Sequence, residues 1–141
     1  MSVNFLSKSQ TVISWIFQLT AAFIFLQTLF FKFTAAPESV YIFETVGMEP
    51  WGRIGSGIVE LAAGILLLWP RRAWIGAVMG LGTISGAIFF HLTSLGIEVQ
   101  GDGGTLFYLA LLVFASCLIV LWLRRGQALS DIKKLVKGND E

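Results

Sequence analysis

Ionisable side chains inside long apolar runs are where this sequence could do chemistry, because each is costly in hydrocarbon unless it is paired or hydrated. Glu60 is the clearest case. Helical spacing places it on one face with Arg53, Ser56, Gly57 and Gly64, about 10 Å below the outer end of its run at 1.5 Å per residue. A face of Gly and Ser points at a neighbouring helix, not at lipid. A second stripe, Gly76, Gly80, Thr83, Ala87, His91 and Ser94, aims the only histidine inward at a similar depth. A third line, Ser14, Gln18, Ala21, Thr28 and Lys32, with Gln27 beside Thr28, completes a polar volume shared by three helices. Glu60, His91, Lys32, Arg53, Gln27 and Thr28 are therefore the candidate proton-relay or ligand-binding residues. Such a pocket could hydrogen-bond a quinone-like carbonyl, relay a proton or clasp a partner's side chain. It could equally hold the helices in register, and Glu60 could be neutral or ionised against Lys32, Arg53 or His91.

Other chemistry is poorly supplied. A lone His has no second His, cysteine cluster or spaced carboxylates beside it, so no metal site is expected. One cysteine, Cys117, excludes an internal disulfide and dithiol redox chemistry. Gly101, Gly103 and Gly104 form a turn with no preceding strand and no following Lys-Ser or Lys-Thr pair, which excludes a phosphate loop. No nucleophile with an activating base is visible, which favours an accessory role over autonomous catalysis.

The elements that must position these residues are helices in a membrane. Of 141 residues, 55% are hydrophobic and only 13% charged, with a mean hydropathy of +0.76, far from the balance of a soluble domain. Continuous runs rich in Leu, Ile, Phe, Gly and Ala exclude an alternating-strand barrel. The expected fold is an all-α integral membrane four-helix bundle, with spans near residues 11–31, 54–69, 73–95 and 106–123 inside a membrane domain of residues 1–126. The first run is too long for the apolar core of a cleaved signal peptide and is read as a span. Gly57, Gly64, Gly76 and Gly80 are packing positions; Gly82-x-x-x-Gly86 meets either another helix of the chain or a second copy in a homo-oligomer. Trp15, Trp69, Trp74 and Trp122 read as interfacial anchors.

Lys8, Arg71, Arg72, Arg124, Arg125, Lys133, Lys134 and Lys137 fall on one side, against Lys32 and Arg53 on the other. Both termini are therefore expected to be cytoplasmic, and nothing in this charge pattern suggests nucleic acid. Residues 32–52 form a long apolar connection in which Pro37 can open a short helix, with Val40, Phe43 and Gly47 on one face, lying in the interface or re-entering the bundle. It could act as a lid or merely as an anchor. In residues 127–141, Ser130 is an expected N-cap, and Ile132, Leu135 and Val136 form an apolar stripe among lysines, suited to a lipid surface.

Leu29-Phe-Phe-Lys32, the connector ending Val46-Gly47-Met48-Glu49-Pro50, the stretch Gly57-Ile-Val-Glu60-Leu-Ala-Ala-Gly64 running on to Pro70, and a small-residue third span ending near His91 resemble the DoxX family of four-helix membrane proteins. The likeness covers roughly residues 13–123 and carries no catalytic signature; Lys32, Gly57, Glu60 and Gly64 match best. It implies a bacterial inner-membrane protein of a family that includes small subunits of quinone-linked sulfur or thiol oxidation and oxidative-stress complexes, and membrane assembly factors. Three readings follow: a subunit of a quinone-linked redox system with no covalent cofactor, a non-catalytic assembly or scaffold protein bound to another membrane protein, and a small proton-coupled exporter. The last lacks any visible inverted repeat.

Overall fold

A computed structural model describes residues 5–139, and among them every regular element is helical. Helix α1, Lys8–Phe33, opens with a capping box in which the Gln10 N–H donates to Ser7 Oγ (3.2 Å) and the Ser7 N–H donates to Gln10 Oε1 (3.0 Å). Pro37 supplies the first turn of α2, Pro37–Thr45, where a missing N–H costs nothing. Gly47, expected on the face of this helix, lies beyond it at φ +74°, where glycine turns the chain towards α3, Trp51–Leu67.

A tight turn through Pro70 leads to α4, Ala73–Phe90, which widens into a π-helical turn, His91–Leu95, before Gly96 breaks it at φ +81°. Helix α5, Thr105–Leu123, follows. Arg124 then bends the chain into α6, Arg125–Gly138. The expected cap at Ser130 is corrected here, since α6 begins directly after Arg124 and Ser130 lies inside it.

Three of these helical stretches are long and apolar enough to cross a membrane: Lys8–Phe33, Ala73–Leu95 and Thr105–Leu123, of 26, 23 and 19 residues. They fit a multi-pass membrane protein. Helix α3 is shorter, at 17 residues, and carries Arg53 and Glu60. It packs with the others in a closed order: α1 lies against α3 and α5, and α4 lies against the same two. Large apolar side chains such as Phe23 and Phe30 stand outward, 71% and 68% exposed, as lipid-facing residues would.

The interior is filled by small and medium side chains, among them Ala21, Phe25, Ala63, Ala77, Val113 and Cys117. Close approach explains the choice of glycine at two positions. A Cβ on Gly76 would lie 2.7 Å from the Leu67 nitrogen and 2.8 Å from the Ala63 oxygen, so α3 and α4 meet backbone to backbone. A Cβ on Gly80 would lie 2.9 Å from both Cys117 Sγ and the Phe25 ring. Gly82 and Gly86 have no such neighbour and face away from the chain's own helices. At one end, here the loop end, α2 covers α1, α3 and the π turn; at the other, the terminal end, α6 rests on α4 and α5.

Candidate functional site

The expected single polar volume resolves into separate centres. At the loop end, one helical turn brings Thr28 and Lys32 of α1 opposite Ser56 and Glu60 of α3. Lys32 Nζ donates to Glu60 Oε1 at 2.5 Å and to Ser56 Oγ at 3.2 Å, and the side chains of Lys32 and Glu60 are only 14% and 8% exposed. Thr28 Oγ1 has a single proton for two acceptors, the Phe25 carbonyl at 2.8 Å and Glu60 Oε2 at 3.1 Å. The Phe43 ring of α2 stands 5.6 Å from the ammonium, closing the pair from outside. Gly57 makes room: a Cβ there would press on the Phe33 ring at 2.9 Å. Gly64 does the same for Leu26 at 3.0 Å.

Arg53 lies next to this pair but plays a different part. Its Nε and Nη2 grip the Glu49 carboxylate, with Nη2 to Oε1 at 2.7 Å, and its Nη1 donates to the Lys32 carbonyl. That carbonyl belongs to the last turn of α1, where no intrahelical donor is available, so Arg53 caps α1 from α3 and meets the negative end of its dipole.

His91 is buried but turned elsewhere. Its Nδ1 lies 2.8 Å from the Gly96 carbonyl, to which it must donate, and its ring meets Phe107 edge to face at 5.5 Å. No hydrogen bond joins it to Glu60 or Lys32 among the described residues. The π turn that begins at His91 breaks the spacing of the stripe, which also leaves Ser94 exposed. In the adjoining loop, Asp102 accepts from the N–H groups of Val99, Gly104 and Leu106 at 2.9, 2.8 and 3.1 Å. Burial works to raise its carboxyl, but these donors, with nearby His91, hold it below its ordinary value of 3.8.

Gln27 is not in the pocket either: one residue is 100° of helical rotation, and next to the half-buried Thr28 it faces outward from α1. Ser14 and Gln18 are wholly buried, yet Gln18 lies about 21 Å down α1 from Lys32 at 1.5 Å per residue. They belong to a terminal-end centre that counting charges by side does not reveal. There Arg124, 5% exposed, donates from Nε to Ser14 Oγ and Gln18 Oε1, both at 3.0 Å, and from Nη1 to the Pro70 carbonyl at 2.8 Å. Gln18 Nε2 donates in turn to the Leu67 carbonyl at 2.6 Å. Burial pushes the guanidinium down from its ordinary range. The available signal was depth: Ser14, Gln18, Pro70 and Arg124 are all within about three turns of the same helix ends.

Among the described residues, no group of three or more His, Cys, Asp or Glu side chains lies close enough together to hold a metal ion. No family model, curated protein or solved structure matches the chain.

Proposed function

We propose that the chain is an accessory four-span protein of a bacterial inner membrane, with both termini cytoplasmic, serving a quinone-linked redox or oxidative-stress system without autonomous catalysis. Helix α3 would be the fourth span: with the apolar Leu68 and Trp69 its length comes to about 28 Å, against about 30 Å of hydrocarbon. The observation that carries the reading is the Lys32–Glu60 pair, held at 2.5 Å among apolar helices and covered by Phe43. The donor chemistry suits a carbonyl oxygen. The Lys32–Ser56 contact, 3.2 Å, is the weakest of the pair's hydrogen bonds and the one a quinone carbonyl would replace. A quinone would supply the two-electron chemistry of the larger system; this chain's residues would bind and orient its headgroup and exclude water beneath α2.

A second reading, an assembly or scaffold protein, is favoured by Gln27, an amide exposed on an otherwise lipid-facing surface, where a partner helix would satisfy it. Proton-coupled export has no comparable support.

Native mass spectrometry of the full chain, gently extracted from its own membranes, separates the readings. A bound quinone, lost in folded Glu60→Gln protein, is expected for the redox subunit. A stoichiometric protein partner without quinone, lost in Gln27→Leu, marks the assembly role. Neither species in repeated preparations would remove both.

A further inference from the structure

At the terminal end, far from the Lys32–Glu60 pair, a cavity of about 800 Å³ opens between the start of α1, the α3–α4 turn and the α5–α6 bend. Its walls carry Arg71, Arg72, Arg124 and Lys134, with one carboxylate, Asp131, which accepts from Trp74 Nε1 at 3.0 Å. None of the four cations is in a salt bridge among the described residues.

Arg124 is the telling member. Its guanidinium is buried with neutral acceptors only, and none of its hydrogen bonds among the described residues uses Nη2. A buried cation without an anion is costly, and an anion in the cavity would offset that cost. A guanidinium with free N–H groups, beside two exposed arginines and a lysine, matches the oxygens of a phosphate better than a single carboxylate. The remaining wall is of another kind: Trp15 and Trp69 offer indole surfaces of the sort that settle at the level of lipid headgroups.

We propose that this cavity binds the phosphate of an anionic glycerophospholipid, with Arg71, Arg72, Lys134 and the free edge of Arg124 on the headgroup and the glycerol region against Trp15 and Trp69. The site is independent of any quinone at the opposite end. Phosphate chemistry is shared by lipids and by soluble esters; the indoles favour the lipid.

Delipidated full-length protein in detergent is titrated with phosphatidylglycerol, phosphatidylcholine or inorganic phosphate and read by native mass spectrometry. Phosphatidylglycerol is expected to bind in preference to phosphatidylcholine. The triple variant R71Q/R72Q/K134Q is expected to lose at least about tenfold in that affinity. All three side chains are exposed, so an unchanged melting temperature shows that the variant still folds. Competition by inorganic phosphate supports the site. Equal retention of the two lipids, equal binding by the triple variant, or retention of inorganic phosphate where phosphatidylglycerol is not held would overturn the proposal.

Discussion

Lys32 and Glu60 bind each other with most of their polar atoms already engaged, so neither can be removed alone without stranding the other. Breaking a buried pair from one side leaves an uncompensated polar group, whereas replacing both sides with apolar groups removes the desolvation cost as well. Lys32→Met and Glu60→Gln are each expected to cost about 1–3 kcal/mol. The double variant K32M/E60L should recover most of that loss, measured by denaturation in detergent. Simple addition of the two single losses would show that the pair is not coupled. At the same scale, Asp102 contributes stability that is complete above its ordinary value of 3.8 and is lost as the pH falls below it through the lowered folded value. Protection of the Val99, Gly104 and Leu106 amides, measured as hydrogen exchange relative to the intrinsic rate at each pH, should fall over that window, and in Asp102→Asn that change in protection should disappear.

Among the elements, the interface between α3 and α4 is the least forgiving. Gly76→Ala places a methyl group against two backbone atoms and is expected to destabilise by about 1–3 kcal/mol. Gly82→Ala meets nothing within 4 Å and should cost nothing in the monomer. A marked loss from Gly82→Ala in the membrane, but not in detergent, would reveal a helix from outside the chain. The sequence makes the long helices legible because hydropathy and the closing Lys32, Pro70 and Arg124 mark their ends. It also locates the inward faces of α3 and α4. What it does not display is the π turn, which redirects His91 through one widened turn, or the continuous bend at Arg124, which starts α6 five residues before the polar cap suggested by Ser130. The first is fastened by a short-range hydrogen bond from His91 to Gly96 and the second by a long-range one from Arg124 to the α3–α4 turn, and hydropathy displays neither.

For the whole molecule, the two polar centres sit at opposite ends of one packed set of helices. Helical spacing places Thr28, Lys32 and Glu60 at matching depth but leaves Lys32, Arg53 and His91 all open as partners of Glu60, and it groups Gln18 with them only if depth is ignored. If the termini are cytoplasmic, a reporter fused after Gly138 should be active only in its cytoplasmic form and one inserted after Leu95 only in its external form. The reverse pattern would exchange the sides assigned to the two centres while leaving their geometry intact. Trp74→Phe removes the hydrogen bond to Asp131 and should increase protease cleavage within α6 without changing the melting of the remaining helices.

The bond from Arg124 to Ser14 joins residues 110 apart in the chain. At about 5–20 residues per second of synthesis, roughly 5–20 s separate the appearance of the two partners at the ribosome. During that interval Ser14 and Gln18 have no guanidinium to receive, and once α3 has followed, the terminal-end polar side of the first helix has only the Leu67 carbonyl to meet. Completion of the fifth helix is thus the event that seals the first, and a nascent chain halted before Arg124 would present to the cell's membrane proteases a polar seam that the finished protein hides.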